Sequence, residues 1–304
     1  MKCISISELN NAAKYPEELI LAGENLYADQ LSAAAQRIYT ERAERPVVLI
    51  SGPSGSGKTT SAIRIGQLLR DNGCNAHIVS MDNYFLPMEE NEAARDENGN
   101  IDFESPMRLD IPLFKQQLEK LFRGEEIEIP SFDFAAQARR KGMPLKRGQG
   151  DLVIIEGIHA LNPMVTGESE SFTNCIYVSV RTRLCNESGG LLHPSKIRLM
   201  RRLMRDKLYR GRSLAETFEF FRSVERGENL YIMPYKQRAN FDIDTFIEYE
   251  PLVYRDILLP DLAHASQEYA DYADYADIEL FLKELLPLEK GLVPDNSLIR
   301  EFIG

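Results

Sequence analysis

Pro46-Val47-Val48-Leu49-Ile50-Ser51-Gly52-Pro53-Ser54-Gly55-Ser56-Gly57-Lys58-Thr59-Thr60 decides the fold of this chain. An apolar run passes into G-x-x-x-x-G-K-T, and a helical pattern follows (Ala62, Ile63, Ile65, Leu68, Leu69) until Gly73. Strand, glycine loop and helix in that order predict a phosphate-binding P-loop. Gly52, Gly55 and Gly57 let successive backbone N–H groups turn inward on phosphate oxygens, and the helix starting near Lys58 adds the positive end of its dipole. Lys58 is expected against the outer phosphates and the Thr59 hydroxyl on Mg2+, with Ser54, Ser56 and Thr60 completing the cradle. A Gly/Ser-rich turn matching by chance would lack the strand before and the helix after. The motif predicts ATP or GTP binding and leaves open what is done with the nucleotide.

Two further apolar runs end in acids. Ala76-His77-Ile78-Val79-Ser80-Met81 leads to Asp82-Asn83-Tyr84-Phe85, and Asp151-Leu152-Val153-Ile154-Ile155 leads to Glu156-Gly157. Ligands of open α/β sheets bind outside the carboxyl ends of the strands, so both acids are expected beside the P-loop. Glu156 is the expected metal-linked acid, and Asp82 the group that orients and deprotonates an attacking hydroxyl, with a metal role also open to it. Further strands are predicted at 174–180 and 241–246. The fold class is α/β: a P-loop three-layer α/β/α architecture on a mostly parallel sheet.

The 304 residues divide into a helical extension (1–45), a core (46–250) and a helical segment (251–304). Residues 82–142 form an acceptor-pocket insertion: a polar stretch (Glu89, Glu90, Asn91, Asn98), a helix opened by Pro112 and stopped by Gly124, a strand at 127–134, and a basic loop at 139–142. A capping box at Ser213 opens a helix that is expected to stop at Gly227. A Tyr-Ala-Asp repeat at 269–277 reads as helix surface.

Residues 195–212 carry Lys196, Arg198, Arg201, Arg202, Arg205, Lys207, Arg210 and Arg212 against one acid, Asp206. Arg198, Arg201, Arg202 and Arg205 share one helix face. A solvated basic face is the plain reading. In a chain of net charge −11, an arginine lid meeting phosphates explains the cluster better. The same net charge argues against general nucleic-acid binding. Hydrophobic content of 43% and charge of 27% are those of a globular protein. No apolar run approaches the roughly 18 residues of a membrane span, and the start has no signal-peptide pattern, so a cytoplasmic protein without membrane association is expected. The four cysteines and four histidines show no metal spacing, and each imidazole is expected to be satisfied or exposed.

These motifs together resemble the uridine kinase/phosphoribulokinase family of P-loop kinases, and more closely its bacterial uridine-kinase-like members. The likeness rests on Gly52 to Thr60, Met81 to Phe85, Asp102-Phe103-Glu104-Ser105-Pro106 with Asp110, Ile129 to Phe134, Ile155 to His159, and Arg201 to Asp206 leading to Arg210-Gly211-Arg212. It spans about 46–250, and the end of the chain, Asp295 to Gly304, resembles the same subgroup. The resemblance implies ATP-dependent phosphorylation of the 5'-hydroxyl of a pyrimidine nucleoside with Mg2+. Lys58, Asp82, Arg202, Arg205 and Arg210 would be catalytic, with Arg205 and Arg212 on the donor. Asp82, Phe85, Phe103, Glu104, Phe132, Phe134, Gln137, Ile158 and Arg202 would line the acceptor site. Where uridine-cytidine kinases carry a ribose-binding Asp, this chain has Glu104 beside Asp102; their base-contacting Tyr and His match Phe132 and Gln137. Around Glu219 and Phe220 there is no counterpart to their Gln after the lid. The acceptor therefore stays open between a nucleoside, a sugar phosphate and a polyol, as does self-association into a homo-oligomer. A non-catalytic nucleotide-binding regulator is the alternative from another class.

Overall fold

The computed structural model describes residues 2–87, 94–97, 99–264 and 273–304. The sequence readings at Glu89, Glu90, Asn91 and Asn98, and at Tyr269 and Tyr272 of the repeat, lie outside the described residues. Chain order opens with β1 (Cys3–Ser5), α1 (Ile6–Ala12), α2 (Pro16–Glu41), β2 (Val47–Ser51), α3 (Lys58–Asp71), β3 (Ala76–Ser80), α4 (Ile111–Arg123), β4 (Glu126–Asp133), β5 (Ala138–Lys146) and β6 (Leu152–Glu156). It continues with α5 (Pro163–Thr166), β7 (Thr173–Ser179), β8 (Arg183–Cys185), β9 (Leu191–Leu192), α6 (Pro194–Arg210), α7 (Leu214–Tyr231), β10 (Phe241–Asp244), α8 (Glu250–His264), α9 (Ala273–Glu284) and α10 (Arg300–Ile303).

The main sheet has five strands in the order β10-β7-β2-β6-β3, and every pairing is parallel. Parallel strands need crossovers and are covered on both faces, so they are apolar throughout. β2, β6 and β7 are buried at every position. The period of two divides them between two cores. Val48, Ile50, Ile154, Ile176 and Val178 join α2, α3, α6, α7 and α8 on one face. Val47, Leu49, Val153, Ile155, Cys175 and Tyr177 join Phe114, Leu118 and Leu121 of α4 on the other. This is the three-layer α/β/α arrangement expected from the sequence.

Register positions the site. Glu156 lies level with Ile50 of β2 and with Ser80 of β3. The loop after β2, the end of β6 and the turn after β3 therefore meet at one carboxyl edge.

Three expectations need correction. The basic stretch 139–142 belongs to strand β5, which pairs antiparallel with β4. Backbone pairing carries β5, because its residues lack the apolar alternation that marks a strand. α7 runs through Gly227 to Tyr231; the glycine is there because a Cβ would lie 2.2 Å from Cβ of Glu104. The first 45 residues are not purely helical: β1 pairs parallel with β8, and α2 lies along α3, where the Tyr27 hydroxyl meets Ser61 Oγ at 2.8 Å.

Candidate active site

The P-loop turns where its glycines let it. Gly55 and Gly57 adopt φ of 74° and 81°, the left-handed region that glycine enters freely. At Gly52 the constraint is space, since a Cβ would stand 1.9 Å from the Val178 carbonyl oxygen. Gly57 is the N-cap of α3 and offers no side chain to the helix N–H groups. Those donors and the positive end of the dipole form a ready anion site. Ser56 Oγ is buried here without a hydrogen-bond partner among the described residues, as expected of a cradle that a ligand completes.

Lys58 donates from Nζ to the Pro53 carbonyl at 3.1 Å. Burial lowers its pKa, while Glu156, Asp82 and Glu301 oppose that shift. Glu156 is 6% exposed; its carboxylate accepts from Ser80 Oγ at 2.8 Å and from Thr59 Oγ1 at 3.3 Å. Among the described residues no group of three or more His, Cys, Asp or Glu side chains converges as a metal cage. An exposed hydroxyl beside one carboxylate instead suits Mg2+, which keeps several waters and takes further oxygens from phosphates.

Asp82 opens the short helical turn after β3 and is exposed to the crevice. Enough protein surrounds it that burial, followed by repulsion from Glu156, pushes its carboxyl up to about 6 against the pull of Lys58. Water in the open crevice weakens that shift, and an acceptor covering Asp82 strengthens it. Glu104 is half-buried and pushed up to about 7, mainly by burial, with Arg202 and Lys58 opposing. Beside it, Asp102 is 1% exposed, accepts from Tyr231 Oη at 2.9 Å and pairs with Arg226 at 3.0 Å. Asp102 is thus engaged internally, whereas Glu104 sits within reach of Arg202 and Lys58.

The expected acceptor wall separates into parts. Phe85, Phe132 and Phe134 form one aromatic cluster, with ring centroids 5.0 to 6.0 Å apart. Phe103 lies apart from it, 6.2 Å from Phe220 of α7. Gln137 is exposed in the β4–β5 turn at φ 48°, and its amide donates to the Phe134 carbonyl at 2.7 Å. Ile158 follows Glu156 and is half-buried; its carbonyl accepts from Ser51 Oγ at 2.8 Å.

The arginine helix divides in two. Arg201 is buried against Glu250 and the Gly55 carbonyl, and Arg198 spans Glu228 (2.6 Å) and the Ser54 carbonyl. These two serve as internal struts of the P-loop, which corrects their reading as phosphate groups. Arg202 donates to Ser54 Oγ at 3.1 Å and lies over Phe220, as Arg212 does. Arg202, Arg210 and Arg212 share the fully buried carboxylate of Asp206. Arg205 pairs with Glu301 at 3.4 Å.

Sequence reasoning gave no role to two groups. His159 is 2% exposed; its ring is hydrogen-bonded to the Glu104 backbone, as expected of a satisfied imidazole, while Nδ1 has no partner among the described residues and burial pushes its pKa down to about 4. Its place in Ile155 to His159, a stretch carrying the family resemblance, was the available signal. For Glu301 the available signal was its place in Asp295 to Gly304, the end segment that shares the resemblance.

A G-K-T loop after the central strand of a parallel sheet, with Glu156 level with Ile50 and Asp82 in the turn after β3, defines a P-loop nucleotide-binding fold. The chain belongs to the Phosphoribulokinase / Uridine kinase family, whose model matches residues 47–249. It is similar to a uridine kinase of Lactobacillus helveticus, 32% identical over 208 residues that cover 65% of this chain and 85% of that protein. Among solved structures it is similar to a Bacillus stearothermophilus protein described as a possible uridine kinase, with a TM-score of 0.48 and 18% identity over 71% of this chain and 98% of that one. A D-glycerate 3-kinase from Cryptococcus neoformans aligns with a TM-score of 0.48 and 15% identity over 67% of this chain and 87% of that one. The protein is a phosphotransferase acting on a hydroxyl group. Among the described residues no helix is long and apolar enough to cross a membrane.

Proposed function

We propose that this kinase transfers the γ-phosphate of ATP to the 5'-hydroxyl of a nucleoside, with uridine or cytidine as the first choice. The observation that carries the proposal is the place of Asp82, exposed to the crevice in the turn after β3, where Glu156 and Lys58 act on its carboxyl. That carboxyl, pushed up to about 6, is half-ionised near pH 6 and suits a general base working near neutrality. Uridine kinases among the relatives at about 30% identity support the pyrimidine nucleoside.

In this reading the P-loop N–H groups, Lys58, Ser54, Ser56, Thr59 and Thr60 hold the donor phosphates. Thr59 Oγ1 and Glu156 would hold Mg2+, which would supply positive charge to the donor phosphates when bound. Asp82 orients the acceptor hydroxyl and takes its proton. Arg202, Arg205 and Arg210 offset the charge spread over the transferring group, while Arg212 faces the donor. Arg202, tied to Ser54 and Asp206, needs little reorganisation. The helix that carries these arginines excludes water, which would otherwise compete as acceptor. Glu104 takes the ribose hydroxyls, and Phe85, Phe132 and Phe134 offer apolar faces to the base.

A second acceptor class is favoured by one observation. The Gln137 amide is tied to its own turn through Phe134, so the residue matched to a base-reading position is not presented to a pyrimidine edge. A sugar phosphate or polyol needs no such contact. ADP release measured across nucleosides, ribulose 5-phosphate, pantothenate and inositols separates the readings; turnover with no nucleoside would sink the first.

A further inference from the structure

The segment after α9 lies outside the residues matched by the family model, yet it is built into the P-loop. Leu298, Ile299, Phe302 and Ile303 are at most 1% exposed. Leu298 Cδ1 stands 2.7 Å from where a Cβ on Gly57 would be, so the segment touches the very residue that caps α3. The Phe302 ring lies 5.1 Å from the Arg201 guanidinium and 6.0 Å from that of Arg205. Four side chains withdrawn from water fix this backbone in place, and the Glu301 side chain between them is partly exposed.

Glu301 points inward. One carboxylate oxygen accepts from Thr60 Oγ1 at 2.6 Å and the other pairs with Arg205 Nη1 at 3.4 Å. Thr60 and Arg205 are both assigned to the donor in the proposed function. Arg205 Nε and, elsewhere in the cradle, Ser56 Oγ are buried with no partner among the described residues, and each can take a ligand oxygen. Two anions do not share one pair of donors without repulsion, and low water content sharpens it.

We propose that Glu301 is an affinity-setting residue of the donor site: its carboxylate competes with a donor phosphate for Thr60 and Arg205, and the donor must turn it aside. The inference rests on the donor half of the proposed function. It gives this segment a defined task, which is to hold Thr60 and Arg205 in place while lowering the affinity for nucleotides.

The test is calorimetric titration of the full chain with MgATP and MgADP. Glu301→Gln keeps the length of the side chain and an oxygen for Thr60 but removes the competing charge. Nucleotide binding is expected to tighten about tenfold, with thermal stability in the absence of nucleotide unchanged within a few degrees. Asp295→Asn, on the same segment but fully exposed, controls for net charge and is expected to change affinity less than twofold. Binding by Glu301→Gln that is unchanged or weaker overturns the inference, as does equal tightening by Asp295→Asn. Absence of nucleotide binding in wild type and variant alike overturns the donor reading together with it.

Discussion

Arg201 and Glu250 form a two-hydrogen-bond ion pair, 2.8 and 2.9 Å long, with neither side chain exposed to water. The same guanidinium donates to the Gly55 carbonyl at 3.0 Å and to the Thr245 carbonyl at 2.6 Å. Burial alone would lower the Arg201 pKa, and Glu250 together with Tyr254 and Glu301 more than reverses this, so the pair stays charged. Removing one partner leaves an uncompensated buried charge, a loss of about 3–5 kcal/mol. Arg201→Met is expected to destabilise by that amount in urea unfolding. Arg201→Met with Glu250→Leu should recover part of it, because no charge is then stranded. A double variant less stable than either single would contradict this account.

Gly227 of α7 and Glu104 of the insertion share one space. An added Cβ would lie 2.2 Å from Glu104 Cβ and 2.7 Å from its Cγ, atoms that cannot swing away as a side-chain tip can. Alanine gains at most about 1 kcal/mol of helix propensity over glycine, whereas overpacking costs about 1–3 kcal/mol. Overpacking wins. Gly227→Ala is expected to lower stability and to raise the acceptor KM severalfold by displacing Glu104, leaving the donor KM unchanged. Steady-state kinetics with each substrate varied in turn reads the difference.

The donor half of the site was legible because its chemistry is local. Strand, glycine loop and helix are contiguous in sequence, and Asp82 and Glu156 each come at the end of an apolar run that forms a strand of the parallel sheet. The roles of Arg198 and Arg201 were not legible, because their partners Glu228 and Glu250 are 30 and 49 residues away. A run of like charges in sequence carries no sign of which members are neutralised inside the fold. β5 was missed for a different reason. Ala138–Lys146 pairs through its backbone with β4 while its side chains are half-buried or exposed, so the period-two signature is absent. Gly227 shows the converse error, a local helix stop overridden by the close approach of Glu104.

Asp82 predicts opposite responses of activity and stability to pH. Its folded pKa of about 6 and that of Glu104 near 7 lie above the roughly 4 of an unfolded carboxyl. The folded protein therefore holds these protons more tightly. Their stabilising contribution is full below about pH 4 and is lost as pH rises through about 6 and 7. Asp82→Asn removes its part of that loss, so the variant should melt above wild type at pH 8, with the gap closing towards pH 4. Activity runs the other way, since the ionised base is the working form. Wild-type kcat/KM should rise with pH through about 6, and Asp82→Asn should lose roughly 10²- to 10⁴-fold in kcat while still binding ATP. A variant with wild-type kcat would remove Asp82 from the chemistry.

Phe132 and Gln137 sit on the same hairpin and should respond in contrasting ways. Phe132 is 8% exposed, and its ring meets Phe85 at 6.0 Å and Phe134 at 5.0 Å. Phe132→Ala removes packing that commonly amounts to about 3–5 kcal/mol in a core, less here because the cluster opens onto the crevice at Phe134. Phe132→Leu keeps most of the volume and loses the ring face, so it isolates stacking: acceptor KM should rise about tenfold with little change in melting temperature. Gln137→Ala deletes an exposed amide bonded only within its own turn and should shift acceptor KM less than threefold. If Gln137→Ala raises the KM for uridine or cytidine tenfold, the amide leaves Phe134 to read the base, and the pyrimidine assignment gains at the expense of the sugar phosphate and polyol. If both substitutions leave uridine kinetics untouched, the hairpin does not contact the acceptor, and the specificity pocket must lie between Glu104, Phe103 and Arg202.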